Sequence, residues 1–160
     1  MSEQSGDIDF ALAAYREEGV WTLAELAPDA VADLDTLAHA LRRFPGDGEA
    51  IGLIGVDEDF FVIARVAGAN VRVLLSDVTA AEEWELADSI VEFLGLPDPE
   101  DDDESEPAGD LAIFADAGLS AMDLGIMLDD NLYPDEAVSE IAGRLGFGEL
   151  FDNAIGLTNA

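Results

Sequence analysis

Residues 71–97 read VRVLLSDVTAAEEWELADSIVEFLGLP, and the fold turns on this stretch. Val71–Leu75 is a short apolar run rich in β-formers, the pattern of a buried strand. Thr79-Ala80-Ala81-Glu82 fits a capping box, in which a threonine at the helix N-cap and a glutamate three residues on satisfy each other's backbone N–H groups. The helix predicted from there runs to Leu94 and stops at Gly95 and Pro97. Leu86, Ala87, Ile90, Val91, Phe93 and Leu94 share one half of its wheel, with Trp84 at the margin. Glu82, Glu85, Asp88, Ser89 and Glu92 hold the other half. Glu83 falls inside the apolar arc: either the first turn overhangs a sheet edge into water, or its carboxylate meets Arg65 or Arg72.

Toward the N-terminus the stretch is preceded by strand patterns. Ile51–Val56 and Phe60–Val66 are apolar runs separated by Asp57-Glu58-Asp59, and Gly68 in the next turn can adopt positive φ. A two-residue loop at Gly68-Ala69 sets Arg65 directly opposite Arg72. Like charges in that relation are destabilising unless anions neutralise them. The pair is therefore read as either internally salt-bridged or as a site for an anion or a partner's carboxylate. Further back, Ile8–Tyr15 alternates with period two, and Val20–Leu26 is a second strand. A helix is predicted from Pro28 to Phe44, with acids at its start, Arg42 and Arg43 in its last turn, and Pro45-Gly46 stopping it. His39, the single histidine, projects onto the polar face of that helix.

Toward the C-terminus, PDPEDDDESEPAG at residues 97–109 is acidic, nearly devoid of apolar side chains and expected to be disordered. It lacks the glycine an EF-hand loop requires at its sixth position. Beyond it come a short apolar turn or strand at Leu111–Asp116, a helix Ala121–Leu128 capped by Ser120, a helix opened by Pro134, and a final turn or two at Glu149–Ile155. The expected fold is thus α+β, an antiparallel five-stranded sheet with covering helices in the order ββαβββα. That order matches longin-like and profilin-like domains in layout. The division expected is a sheet domain at 1–96, a linker at 97–109 and a helical segment at 110–160, which is too small to stand alone and must dock on the sheet or on a partner.

Composition narrows function mainly by exclusion. Thirty-seven acids face six basic residues, all arginine, for a formal net charge of −31. Such a field repels free nucleic acid and anionic membranes and favours a basic protein partner. Salt adaptation, or a GC-rich genome that favours arginine over lysine, would produce a similar balance. With no cysteine there are no disulfides, thiolate metal sites or cysteine nucleophiles. No run approaches the length of a membrane span, and the N-terminus lacks the pattern of a signal peptide, so a cytoplasmic location is expected. There is no P-loop, nucleophile elbow, dinucleotide fingerprint or zincin motif. Asp116–Leu124 vaguely resembles the phosphopantetheine site of acyl carrier proteins, but Leu119 stands where that family has Asp before the serine, and Ser120 is read as a helix cap.

From Leu74 through Ala87, again at Gly109–Asp116, and at Leu132–Glu136 and Arg144–Glu149, the chain resembles the actinobacterial tRNA adenosine deaminase-associated proteins. The likeness covers about the last 90 residues well and the earlier part only in layout. It implies a link to the enzyme that makes inosine in tRNA anticodons. The chain is not itself that enzyme, whose zinc site needs H-x-E and P-C-x-x-C; here the single histidine reads His39-Ala40-Leu41. The leading reading is a noncatalytic, cofactor-free accessory protein that binds a basic partner, the deaminase being the candidate. Its candidate contacts are Trp84, Glu83 and the linker acids Asp101, Asp102, Asp103 and Glu104; Arg65 and Arg72 are the candidate anion site. Two alternatives remain: a nucleic-acid mimic that fills a basic groove, and a carboxylate- or metal-dependent enzyme.

Overall fold

The computed structural model describes residues 8–26, 28–43, 49–56, 60–67, 70–77, 84–95, 108–109, 111–115, 118–129 and 134–155. Its strands are β1 (Ile8–Glu17), β2 (Val20–Glu25), β3 (Glu49–Val56), β4 (Phe60–Ala67), β5 (Asn70–Leu75) and the two-residue β6 (Ala108–Gly109). Its helices are α1 (Leu34–Leu41), α2 (Glu85–Leu94), α3 (Ala121–Asp129), α4 (Pro134–Leu145) and α5 (Gly148–Ile155). The first seven elements follow the expected order ββαβββα in an α+β fold, and the sheet runs β2-β1-β3-β4-β5-β6 with every pairing antiparallel.

The β1–β2 connection is the tight turn Glu18-Gly19, with φ of 53° and 82°. Two consecutive positive φ values match the right-handed twist of the flanking strands. Because β2 and β3 are both antiparallel to β1, they run parallel to each other with β1 between them. The chain must cross over one face to connect them, and α1 lies on that crossover. A single helix Pro28–Phe44 is not what forms. Pro28–Val31 makes a 3₁₀ turn, and α1 starts afresh at Leu34 with Asp33 as N-cap. The Asp33 carboxylate accepts the Thr36 N–H at 2.8 Å, which gives the chain a second start signal. Phe44–Gly48 lie outside the described residues.

Helices cover both faces of the sheet. On one face Ala13, Ile54, Val62, Ala64, Val73 and Leu75 pack against Leu34, Leu37 and Leu41 of α1 and against Leu86, Ala87, Ile90 and Val91 of α2. Full burial of each large aliphatic side chain contributes about 1.5–3 kcal/mol. On the other face Phe10, Leu12, Leu53, Phe61, Ile63 and Leu74 pack against Phe114, Val138, Ile141, Phe147 and Phe151 of the C-terminal segment. That segment docks on its own sheet. Two glycines of β3 permit the close packing on opposite faces. At Gly52 an added Cβ would lie 3.2 Å from Leu41 Cδ1, and at Gly55 it would lie 2.2 Å from the Phe10 ring, which is stacked edge-on to Phe151.

The last two residues of the expected linker are a strand. Ala108 and Gly109 pair with Leu75 and Leu74, and Gly109 takes φ 115° where a Cβ would stand 2.3 Å from the Val73 carbonyl oxygen. Two residues carry no periodicity, so the sequence could not announce this strand. The rest of the acidic run, residues 97–107, lies outside the described residues.

Candidate functional site

α1 and α2 lie side by side over the sheet and leave an open groove of about 860 Å³ between them, floored by Asn70 and Val71 at the start of β5. Five carboxylates line it: Asp33 and Asp35 from the start of α1, and Glu85, Asp88 and Glu92 from α2. Arg42, the C-cap of α1, is the basic residue among the described lining. Glu85, Asp88 and Glu92 recur at i, i+3 and i+7, so their Cβ atoms follow one stripe of the helix.

Ser89 fixes the spacing of the two helices. Its Oγ accepts the backbone N–H of Leu34 at 2.8 Å and donates to the Leu86 carbonyl at 2.7 Å. The first N–H groups of a helix have no partner within it. Here one of α1's is satisfied by the neighbouring helix, which ties the acidic start of α1 to the acidic stripe of α2.

The acids differ in their helical context. Asp33, Asp35, Glu85 and Asp88 sit at helix starts, where the dipole favours negative charge. Glu92 stands in the last turn of α2, which has no basic residue, so it lies where the dipole favours a cation. Asp33 is held below the ordinary carboxylate range, first by the Thr36 backbone N–H and then by its side chain, against a smaller opposing effect of burial. A folded pKa below the unfolded one contributes stability that is full above the unfolded value, near 4, and lost as pH falls through the folded value. Asp33→Ala should therefore lower stability by about 1 kcal/mol at neutral pH. Urea unfolding as a function of pH should show the difference from the parent protein shrinking in acid, and Asp33→Asn, a cap of equal quality, should restore most of it at neutral pH.

Trp84 is the N-cap of α2, with φ −123° and ψ 126°, and offers no side-chain cap. The helix expected to run unbroken from the Thr79 capping box through Trp84 instead begins at Glu85. Extended backbone at Trp84 turns its ring onto Phe60, centroids 6.0 Å apart and edge-on, so the half-buried indole packs at the border of the α1–α2 core. Thr79–Glu83, and with them Glu83 itself, lie outside the described residues, as do Asp101, Asp102, Asp103 and Glu104. Phe93 also departs from expectation: it is 52% exposed and lines the groove although the wheel placed it in the apolar arc. The four residues Leu86, Ala87, Ile90 and Val91 already span the contact with the sheet, and Phe93 lies beyond its edge.

Arg65 and Arg72 stand opposite each other in the β4–β5 register, as the hairpin reading required. They face the C-terminal helices. The Arg65 guanidinium bonds both carboxylate oxygens of Glu49 at 3.2 Å, donates to the Ile113 carbonyl at 2.7 Å and lies 5.7 Å from the Phe114 ring centroid. Arg72 donates to the Ala112 carbonyl at 2.7 Å. Their shared cargo is the 111–115 turn that leads from β6 toward α3. A recess of about 300 Å³ beside them is lined by Glu49, Asn70 and Val71 as well as by the two arginines. The exposed His39 has no place in the groove. Among the described residues no three His, Asp or Glu side chains converge to hold a metal ion. No helix among them is long and apolar enough to cross a membrane.

The scaffold is a three-layer α+β fold whose open groove between α1 and α2 is lined mainly by carboxylates. Residues 9–148 match the family described as Rv3753c-like tRNA adenosine deaminase-associated protein, and the chain belongs to that family. It is 39% identical over 144 residues to Protein Rv3753c of Mycobacterium tuberculosis, a match that spans 88% of this chain and 83% of that protein. No solved structure matches it.

Proposed function

We propose that the chain is a noncatalytic accessory protein that binds a tRNA adenosine deaminase, with the α1–α2 groove receiving a basic segment of that partner. The observation that carries the reading is the groove itself: five carboxylates against one guanidinium, with Glu92 in a last turn that lacks its own cation. An external arginine or lysine would supply it. The family's description supports the choice of partner. The overall charge of −31 supports rapid, steered encounter with a basic surface. Exposed Phe93 at the groove offers an apolar contact that charge alone would not give. Trp84, Glu83 and the acids at 101–104 remain part of the proposed contact surface.

The test is calorimetric titration with the purified deaminase at about 0.15 M salt and again at about 0.5 M, where the screening length falls by roughly half. A complex that weakens with salt is expected. The triple change Asp35→Asn, Asp88→Asn, Glu92→Gln should weaken it by about tenfold, since each charge removed from an interface changes binding by roughly 0.5 kcal/mol or more. Absence of any complex, together with unchanged deamination of tRNA, overturns the reading.

A further inference from the structure

β2 is the outermost strand of the sheet, and among the described residues no strand pairs with its outer edge. The hairpin fixes which way its backbone groups point. The Leu26 N–H bonds the Ala11 carbonyl, so the even-numbered residues of β2 exchange their bonds with β1. Trp21, Leu23 and Glu25 therefore turn their N–H and C=O groups away from the sheet. Natural edge strands are commonly protected by charges, proline, a bulge or short length. The opposite edge, β6, is two residues long. In β2, by contrast, Val20–Ala24 carries no charge and no proline, and its register with β1 is unbroken. Val20 is 65% exposed.

The backbone groups require a strand as occupant, and the side chains select a second copy. An antiparallel pairing of β2 with itself about a two-fold axis is isologous, so every contact occurs twice. One register pairs all three outward-facing residues: Leu23 lies on the axis and Trp21 stands opposite the other copy's Glu25. That register is complementary on both faces. Arg16 is exposed, stands opposite Trp21 in the β1–β2 register and lies 4.9 Å from the Trp21 ring centroid. Among the described residues neither Arg16 nor the exposed Glu25 has an ion-pair partner. The pairing brings the other copy's Glu25 beside Trp21 on the face that carries Arg16. On the reverse face the exposed Val20 comes opposite the other copy's Leu26. We propose that the protein forms a two-fold dimer through β2, which joins the two sheets into one. The charge of −31 on each copy opposes the encounter, and at physiological ionic strength screening confines that repulsion to about 8 Å. The seam itself sets no like charges opposite one another.

Sedimentation velocity of the full-length protein over a range of concentrations, at about 0.15 M and about 0.5 M salt, tests the assignment. A monomer–dimer equilibrium that tightens with salt is expected, the reverse of the salt response of the deaminase complex. Hydrogen exchange should show the Trp21, Leu23 and Glu25 amides gaining protection as the dimer forms, while Thr22 and Ala24, already bonded to β1, change little. Arg16→Glu should weaken the dimer by about tenfold or more, and Arg16→Glu/Glu25→Arg should restore it. Both positions are exposed, so the variants fold, and their melting curves verify that. A monomer under every condition overturns the proposal. So does a dimer in which the Trp21, Leu23 and Glu25 amides stay unprotected, or one that Arg16→Glu leaves unchanged. None of these results bears on the accessory reading, which is tested with the deaminase.

Discussion

Gly55→Val is expected to lower the stability of the protein by about 3 kcal/mol or more, and with it the melting temperature by roughly 2–4 °C for each kcal/mol. The argument begins with β3, whose apolar run places Gly55 directly under the Phe10 ring. The first carbon of any side chain there would stand 2.2 Å from that ring. Phe10 cannot yield by rotating into water, because it is buried and its ring meets Phe151 edge-on at 5.2 Å. Either Phe10 leaves the core, at a cost near that of Phe→Ala (about 3–5 kcal/mol), or β3 separates from β1. A double-mutant cycle makes the cause testable. Phe10→Ala alone opens a cavity and Gly55→Val alone overfills the same space. Combined, they should cost clearly less than the sum of the two. Additive effects in chemical denaturation would show that the Phe10–Gly55 contact is not the source.

Arg65→Ala is expected to cost about 3 kcal/mol, because one side chain there satisfies several groups at once. Its guanidinium chelates Glu49 on β3, donates to the Ile113 carbonyl and covers Phe114, while remaining only 12% exposed. Truncation leaves the carbonyl of a fully buried residue without this donor and uncovers a buried aromatic ring. Arg65→Lys should recover less than half of the loss, since an ammonium cannot hold a carboxylate at two points and a carbonyl at a third. Thermal unfolding gives the magnitude, and hydrogen exchange should show the 111–115 turn opening first. Full rescue by lysine would mean that charge alone matters and that the fork geometry does not.

The two arginines also show how far sequence reasoning reached. Their opposition followed from a hairpin and a period of two, and the register confirms it. Glu49 supplies the counter-charge of Arg65, but the carbonyl oxygens that also receive the two guanidinium groups could not be read locally, because they lie 48 and 40 residues away. The strands were legible for the same periodic reason, and their bounds move by only one or two residues. The start of α2 at Glu85 was not, because Trp84 takes extended backbone and sets its ring on Phe60, a tertiary contact that sequence does not display. The acidic stripe of α2 was visible as a polar half-wheel. Its meeting with the acids of α1 was not, since it depends on the crossover that lays one helix beside the other. A signal for coverage of both sheet faces was present: Ile51–Val56 and Phe60–Val66 are nearly continuous apolar runs, the mark of strands buried on both sides.

Two-sided coverage sets a timetable for biosynthesis. A ribosome that has released residues as far as α2 has delivered every strand from β1 to β5 and the helices for one face alone. Phe10, Leu12, Leu53, Phe61 and Ile63 then form a bare apolar sheet surface until Phe114, Ile141, Phe147 and Phe151 emerge. Exposed surfaces of that kind recruit chaperones or other nascent chains. Translation through the acidic segment is the interval in which the nascent protein is most vulnerable, and a chain cut short there would be a hazard to its cell rather than a smaller working protein.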